Sequence, residues 1–208
     1  MRQVIGCGAA LLLFGGSALA QPLPVRIYGG TQPEQSWALT EAVDSGYCLA
    51  GWTRSYGAGT PGASNLLVVK TDPNGTPQWA RVSSGDNDDE AYSMVRTHDQ
   101  CYVLAGWTRS YGPNTPYKNI FVTKLNSMGN LVWSRVYGGL KDDEAYSIVE
   151  TFDHGYAVTG FTASFGPAPF PNIFVLRLDP LGNVVWLRVY WMVPNHMEDE
   201  AYSIIQTP

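Results

Sequence analysis

DDEAYS at residues 88–93 returns unchanged at 142–147 and again as EDEAYS at 198–203. A fixed period of this size is the mark of a repeat architecture, in which one supersecondary unit is written several times. Anchored on the hexamer, the copies begin at Gln35, Glu90, Glu144 and Glu200. The first three units are complete at 55, 54 and 56 residues, and the fourth stops after nine. The chain also starts inside a unit, because RIYGGTQPEQ (26–35) matches RVYGGLKDDE (135–144).

Within each unit, turn residues separate four short β signals. The first is AYSIVET (145–151, with AYSMVRT at 91–97), in which large residues alternate with small ones. The second is GYAVTGFT (155–162), matched by GYCLAGWT (46–53) and CYVLAGWT (101–108). The third is NIFVLRLD (172–179), matched by NIFVTKLN (119–126) and NLLVVKTD (65–72). The fourth is VVWLRVY (184–190), matched by LVWSRVY (131–137). DPNG (72–75), NSMGN (126–130) and DPLGN (179–183) separate the third signal from the fourth. Pro sets the φ of a turn's first corner, and Gly takes the left-handed angle that closes a hairpin. No window of a dozen residues keeps a helical period without a Gly or Pro break.

The fold class read from this pattern is all-β: an incomplete β-propeller or open arc of four-stranded antiparallel blades, with three full repeats and partial ends. One such sheet has two apolar faces and cannot bury either alone. Trp79, Trp133 and Trp186 on the fourth strands, and Trp52, Trp107 and Phe161 on the second, suit the space between stacked sheets. The pattern DDEAYSIVET…GYxVxGxTxSxG…NIFVxKLDxxGNxxWxRVYGG resembles the bacterial secreted β-propeller repeats called SBBP-type, over residues 25–208. The resemblance implies an exported or cell-surface protein, and that family supplies architecture without catalytic residues. The third unit departs from it, with YWMVPNHME (190–198) where YGG is expected.

The N-terminus reads as a secretory signal at 1–20: Arg2, an apolar run from Val4 to Phe14, and small residues at Ala18 and Ala20. Cys7 ends a lipoprotein-like VIGC box, but six preceding residues leave no room for an apolar region. The expected organisation is a leading strand at 21–34, repeats at 35–89, 90–143 and 144–199, and a truncated fourth repeat at 200–208. VRIYGG (25–30) reads as half of a ring closure whose partners are missing, so the chain is expected to form an open arc with unpaired edge strands that self-associate. Without the leader, 12 basic residues face 18 acidic ones, a net charge of −6 with no Lys/Arg run. That balance speaks against nucleic acid and anionic membranes as partners. The apolar run at the N-terminus is too short for a comfortable membrane span. Cys48 and Cys101 sit at non-equivalent places in apolar, strand-like runs and read as buried free thiols.

The acidic corner has two readings. Asp86, Asp88, Asp89, Asp142, Asp143 and Asp199 could offer oxygens to Ca²⁺, which takes six to eight of them. No complete D-x-D-x-D-G loop is present, however, and each unit carries basic residues of its own. Arg81, Arg135 and Arg188 on the fourth strand, and Lys70, Lys124 and Arg177 on the third, are expected to hold the carboxylates or the nearby aromatic faces. The structural corner is the preferred reading, with Ca²⁺ the one cofactor left open.

No catalytic constellation appears. There is no G-x-S-x-G, no C-x-x-C and no phosphate-cradling loop, and His98, His154 and His196 fall in turns without metal-ligand spacing. Function should then lie where the copies differ. Trp191, Met192, Tyr117 and Phe170, in the irregular segment and the loops before strand three, form the candidate contact patch. The expectation is a non-catalytic binding or structural scaffold for a protein or glycan at the cell surface. A carbohydrate-binding module and a polysaccharide-active enzyme on a propeller are the alternatives.

Overall fold

The computed structural model describes residues 26–113, 116–167, 170–191 and 199–207. The leader read at 1–20, the start of the leading segment and Met192 lie outside these. The described chain is all-β, with twelve strands: β1 Glu34–Glu41, β2 Tyr47–Thr53, β3 Asn65–Thr71, β4 Pro77–Ser83, β5 Asp89–Arg96, β6 Tyr102–Thr108, β7 Asn119–Leu125, β8 Leu131–Tyr137, β9 Asp143–Glu150, β10 Tyr156–Thr162, β11 Asn172–Leu178 and β12 Val184–Tyr190. They form three antiparallel meanders, β1–β4, β5–β8 and β9–β12, each pairing neighbours in chain order. The three sheets do not close on themselves.

Local chemistry sets the hairpins. In the third-to-fourth connection Asp72 Oδ1 accepts the amides of Asn74 and Thr76, and Gly75 sits at φ 76°. Asn126 with Gly129, and Asp179 with Gly182, repeat the arrangement. In the first-to-second connection the left-handed position falls on Ser45, Gln100 and His154, at φ 60°, 63° and 64°.

The sheets pack face to face, and the first strands of the middle and third sheets, β5 and β9, each lie across the sheet before. Tyr102, Leu104 and Phe121 face the first sheet, among Cys48, Ala50, Leu66 and Val68. Val103, Ala105, Ile120 and Val122 face the third, among Val158, Phe174 and Leu176. The middle sheet is thus covered on both sides, which is why every residue of β6 and β7 is buried. Cys48 and Cys101 are free and buried. Burial pushes the Cys48 thiol up to about 12, so it acts as a small apolar side chain at neutral pH.

Tryptophans on the fourth strands lock one sheet to the next. A Cβ on Gly129 would stand 2.9 Å from the Trp79 ring, and one on Gly182 would stand 3.1 Å from the Trp133 ring. The turn glycine therefore supplies both the left-handed angle and the close approach to an indole face. Trp133 is 9% exposed beneath its turn, whereas Trp186 is 40% exposed, with no described turn over it.

Two expected strands are not strands. Residues 26–30 have no ladder partner and lie against the first sheet, with the Tyr28 hydroxyl donating to the Gly75 carbonyl. Tyr137 does the same to the Gly182 carbonyl at 2.6 Å. Residues 201–207 likewise belong to no ladder, although Ala201 N–H reaches the Gly160 carbonyl at 3.4 Å. A strand is defined by the neighbour it pairs with, and neither segment has one among the described residues. None of the described elements is a helix long and apolar enough to cross a membrane.

Candidate functional site

At each corner the middle acid is a structural key. Asp89 accepts hydrogen bonds from the Thr108 hydroxyl, Ser110 Oγ (2.9 Å) and Gly85 N–H (3.1 Å). Asp143 accepts from Thr162 Oγ1 (2.5 Å), Ser164 Oγ (2.7 Å) and Gly139 N–H (2.9 Å). Glu34 fills the place in the first sheet, bonded to Thr53 Oγ1 and Gly30 N–H. The first acid of each corner caps the third strand of the sheet before it: Asp88 Oδ1 accepts from Ser64 N–H at the start of β3, and Asp142 Oδ1 from Lys118 N–H at the start of β7. These carboxylates accept from internal donors, and Asp88 and Glu90 share one of them, the Ser64 hydroxyl. The Asp86 side chain is exposed, and Asp199 occupies the fourth such position, its amide on the Pro171 carbonyl.

The strand-three basic residues lie elsewhere, while Arg81 on the fourth strand meets an aromatic face. Lys70 pairs with Asp44 (2.7 Å), Lys124 with Asp99 (2.7 Å), and Arg177 with Asp153, in the first-to-second turns at the far end of the sheets. Arg81 stacks over Trp79 (5.6 Å) and donates to the Gly129 and Met128 carbonyls of the next sheet. Arg135 donates to the Ser134 carbonyl, and Arg188 is exposed. The fourth strand carries its guanidinium away from the corner, so Thr and Ser hydroxyls do the work assigned to Arg. The repeated T-x-S at 53–55, 108–110 and 162–164 was the available signal.

What the repeat builds beside the corner is an aromatic row. The register of β1 on β2 skips Trp37, that of β5 on β6 skips Tyr92, and that of β9 on β10 skips Tyr146. Each ring is the extra residue of a β-bulge, a device that re-aims one side chain. Glycine is required opposite, since a Cβ on Gly51, Gly106 or Gly160 would lie 1.9 Å from a backbone carbonyl of the bulged strand. Trp37 and Tyr92 meet edge to face at 5.6 Å, Tyr92 and Tyr146 are 5.6 Å apart, and Tyr146 stacks on Tyr202 at 5.0 Å. Together they line an open cleft of about 280 Å³. The ends of the row are accessible, Trp37 at 53% and Tyr202 at 70%.

Aromatics of the second strands, behind the row, fix it in place. Trp107 Nε1 donates to Tyr92 Oη at 2.9 Å, and Phe161 packs against Tyr146 at 5.9 Å. Lys118 Nζ sits 4.2 Å over the Trp107 ring and 2.5 Å from Glu144 Oε1. Burial pushes the Glu144 carboxyl above its usual range, and Lys118 opposes that shift. Burial also raises the hydroxyls of Tyr92 and Tyr146, so both remain donors at neutral pH.

The contact patch read from sequence is distributed differently. Tyr117 and Phe170 occupy equivalent loop positions in two sheets, their carbonyls bound by Asn119 and Asn172. Trp191 is exposed at the end of β12. Sequence reading missed the aromatic row, although a ring two residues into each copy recurs four times, as Trp37, Tyr92, Tyr146 and Tyr202. No family model and no curated protein matches the chain.

Proposed function

We propose that the chain is a non-catalytic binding scaffold, three blades of an open propeller arc, whose aromatic row contacts a glycan. The observation carrying this reading is that three successive bulges present one ring each to a common open cleft. Aromatic faces bind the C–H faces of sugar rings, while tyrosine hydroxyls and the neighbouring Glu90 and Glu200 carboxylates exchange hydrogen bonds with sugar hydroxyls. The leader pattern at 1–20 and the resemblance to secreted propeller repeats support a place outside the cytoplasm, where glycans are exposed.

A polysaccharide-active enzyme draws on one observation, the raised Glu144 carboxyl. That group is committed to Lys118 at 2.5 Å, which favours binding over general-acid chemistry.

A glycan array probed with the parent chain and with Trp37→Ala, Tyr202→Ala and Trp191→Ala tests the proposal. Trp37→Ala and Tyr202→Ala remove exposed rings and should fold, as circular dichroism would verify. Each is expected to lose at least tenfold in glycan signal, with Trp191→Ala unchanged. An array blank for the parent chain, or signal lost only in Trp191→Ala, overturns the aromatic row as the contact surface.

A further inference from the structure

At the opposite end of the first strands, the turns of the middle and third sheets bring His98, Glu150 and His154 together. His98 Nδ1 is 2.6 Å from Glu150 Oε1, and His154 Nδ1 is 3.8 Å from the same oxygen. The two imidazoles stack with centroids 3.5 Å apart. One ligand atom from each of the three residues lies within 4.8 Å of the others. Sequence reading set the histidines aside for want of spacing, because the pair is made across two sheets and not along one strand.

We propose that His98, Glu150 and His154 form a transition-metal site, with zinc the best-suited ion. Two imidazole nitrogens and one carboxylate oxygen are a borderline donor set that suits Zn²⁺ and its neighbours over Ca²⁺ or Mg²⁺. Donors about 2.1 Å from a tetrahedral zinc stand about 3.4 Å from one another. Reaching that arrangement requires the His98–Glu150 hydrogen bond to open by roughly 1 Å. Both rings are about half exposed and can make that movement. The carboxylate is already oriented, because His98 N–H holds Glu150 Oε2 at 2.9 Å and leaves Oε1 toward the rings. Three protein donors leave a fourth position for water or an outside ligand.

Repetition does not explain the cluster. At the junction of the first and middle sheets the corresponding positions hold Val43, Arg96 and Gln100, which place a cation where the carboxylate would be. The donor set therefore belongs to one junction alone among the described residues, and a bound ion there would tie two sheets together. It lies away from the aromatic row and stands independently of the glycan reading.

The test is a titration of the untagged chain with Zn²⁺, read by calorimetry and by thermal unfolding, with Ca²⁺ as the comparison. His98→Phe and His154→Gln are suitable variants, since Phe152 and Gln100 occupy those positions in neighbouring units and Gln100 has the same positive φ as His154. The parent chain should take up one zinc and gain about 5–10 °C in Tm at zinc 100-fold above Kd, with no gain from Ca²⁺. Each variant should fold as the parent does and bind zinc at least tenfold more weakly. No zinc-dependent shift in the parent, or a loss below tenfold in folded variants, overturns the site.

Discussion

Asp99 and Lys124 show how a single pair serves the fold. Lys124 is buried by its sheet, and its ammonium reaches the Asp99 carboxylate at 2.7 Å and the Tyr156 hydroxyl at 3.2 Å. Burial works against ionisation of Asp99, but the hydrogen bonds from Lys124 and Thr97 outweigh it and hold the carboxyl well below its usual range. A depressed carboxyl contributes stability that is complete above its unfolded value of about 3.9 and is lost as pH falls through the lower folded value. Asp44, held down chiefly by its hydrogen bond from Lys70, adds to the same dependence. Stability should therefore begin to fall below about pH 4. Lys124→Met, which keeps the stem packed and removes the charge, should flatten part of that decline. Urea midpoints measured from pH 2 to 7 decide this, and an identical profile for the variant would show that the pair is not responsible.

Among elements, the bulged first strand is the unit that links fold to site. The extra residue aims a ring at the cleft, and the glycine opposite exists because a carbonyl approaches where a side chain would be. Gly106→Ala places a Cβ 1.9 Å from the Glu90 carbonyl oxygen, so the bulge must shift or the strands part. That should cost about 3 kcal/mol. Gly62→Ala meets nothing within 4 Å and suffers only from its φ of 88°, at about 1 kcal/mol. Chemical denaturation of the two variants separates crowding from backbone strain. Equal losses would argue that the glycine in β6 is present for flexibility and not for space.

The whole molecule is a stack in which each sheet borrows its neighbour to bury a face. The middle sheet has two such neighbours, and the outer sheets one each among the described residues. Trp186 shows the consequence: Trp79 and Trp133 receive the turn glycine of the next sheet, while Trp186 remains open beside exposed Val184 and Val185. The chain should therefore self-associate, with its average mass in light scattering rising with concentration. Trp186→Glu should reduce that rise by placing a charge on the uncovered face. A monomer at all concentrations would show that this face is satisfied without a second chain.

The sequence alone determined the all-β class, the four strands per unit, the turn positions and the free, buried state of both cysteines. Those features follow from local rules: period-two alternation, Gly and Pro at corners, and apolar runs with no polar escape. The repetition of DDEAYS marks a corner at which Asp89 and Asp143 each key one turn. Partners were another matter. Arg and Lys were assigned to the corner by proximity in sequence, whereas the pairing of antiparallel strands carries Lys70 and Lys124 to the opposite end, beside Asp44 and Asp99. Only the tertiary structure decided that Trp37, Tyr92, Tyr146 and Tyr202 form one row and that His98 meets Glu150 and His154. Both arrangements join residues about one repeat apart, and such contacts are made by sheet stacking, whose geometry depends on bulges and interlocking side chains that no local pattern encodes.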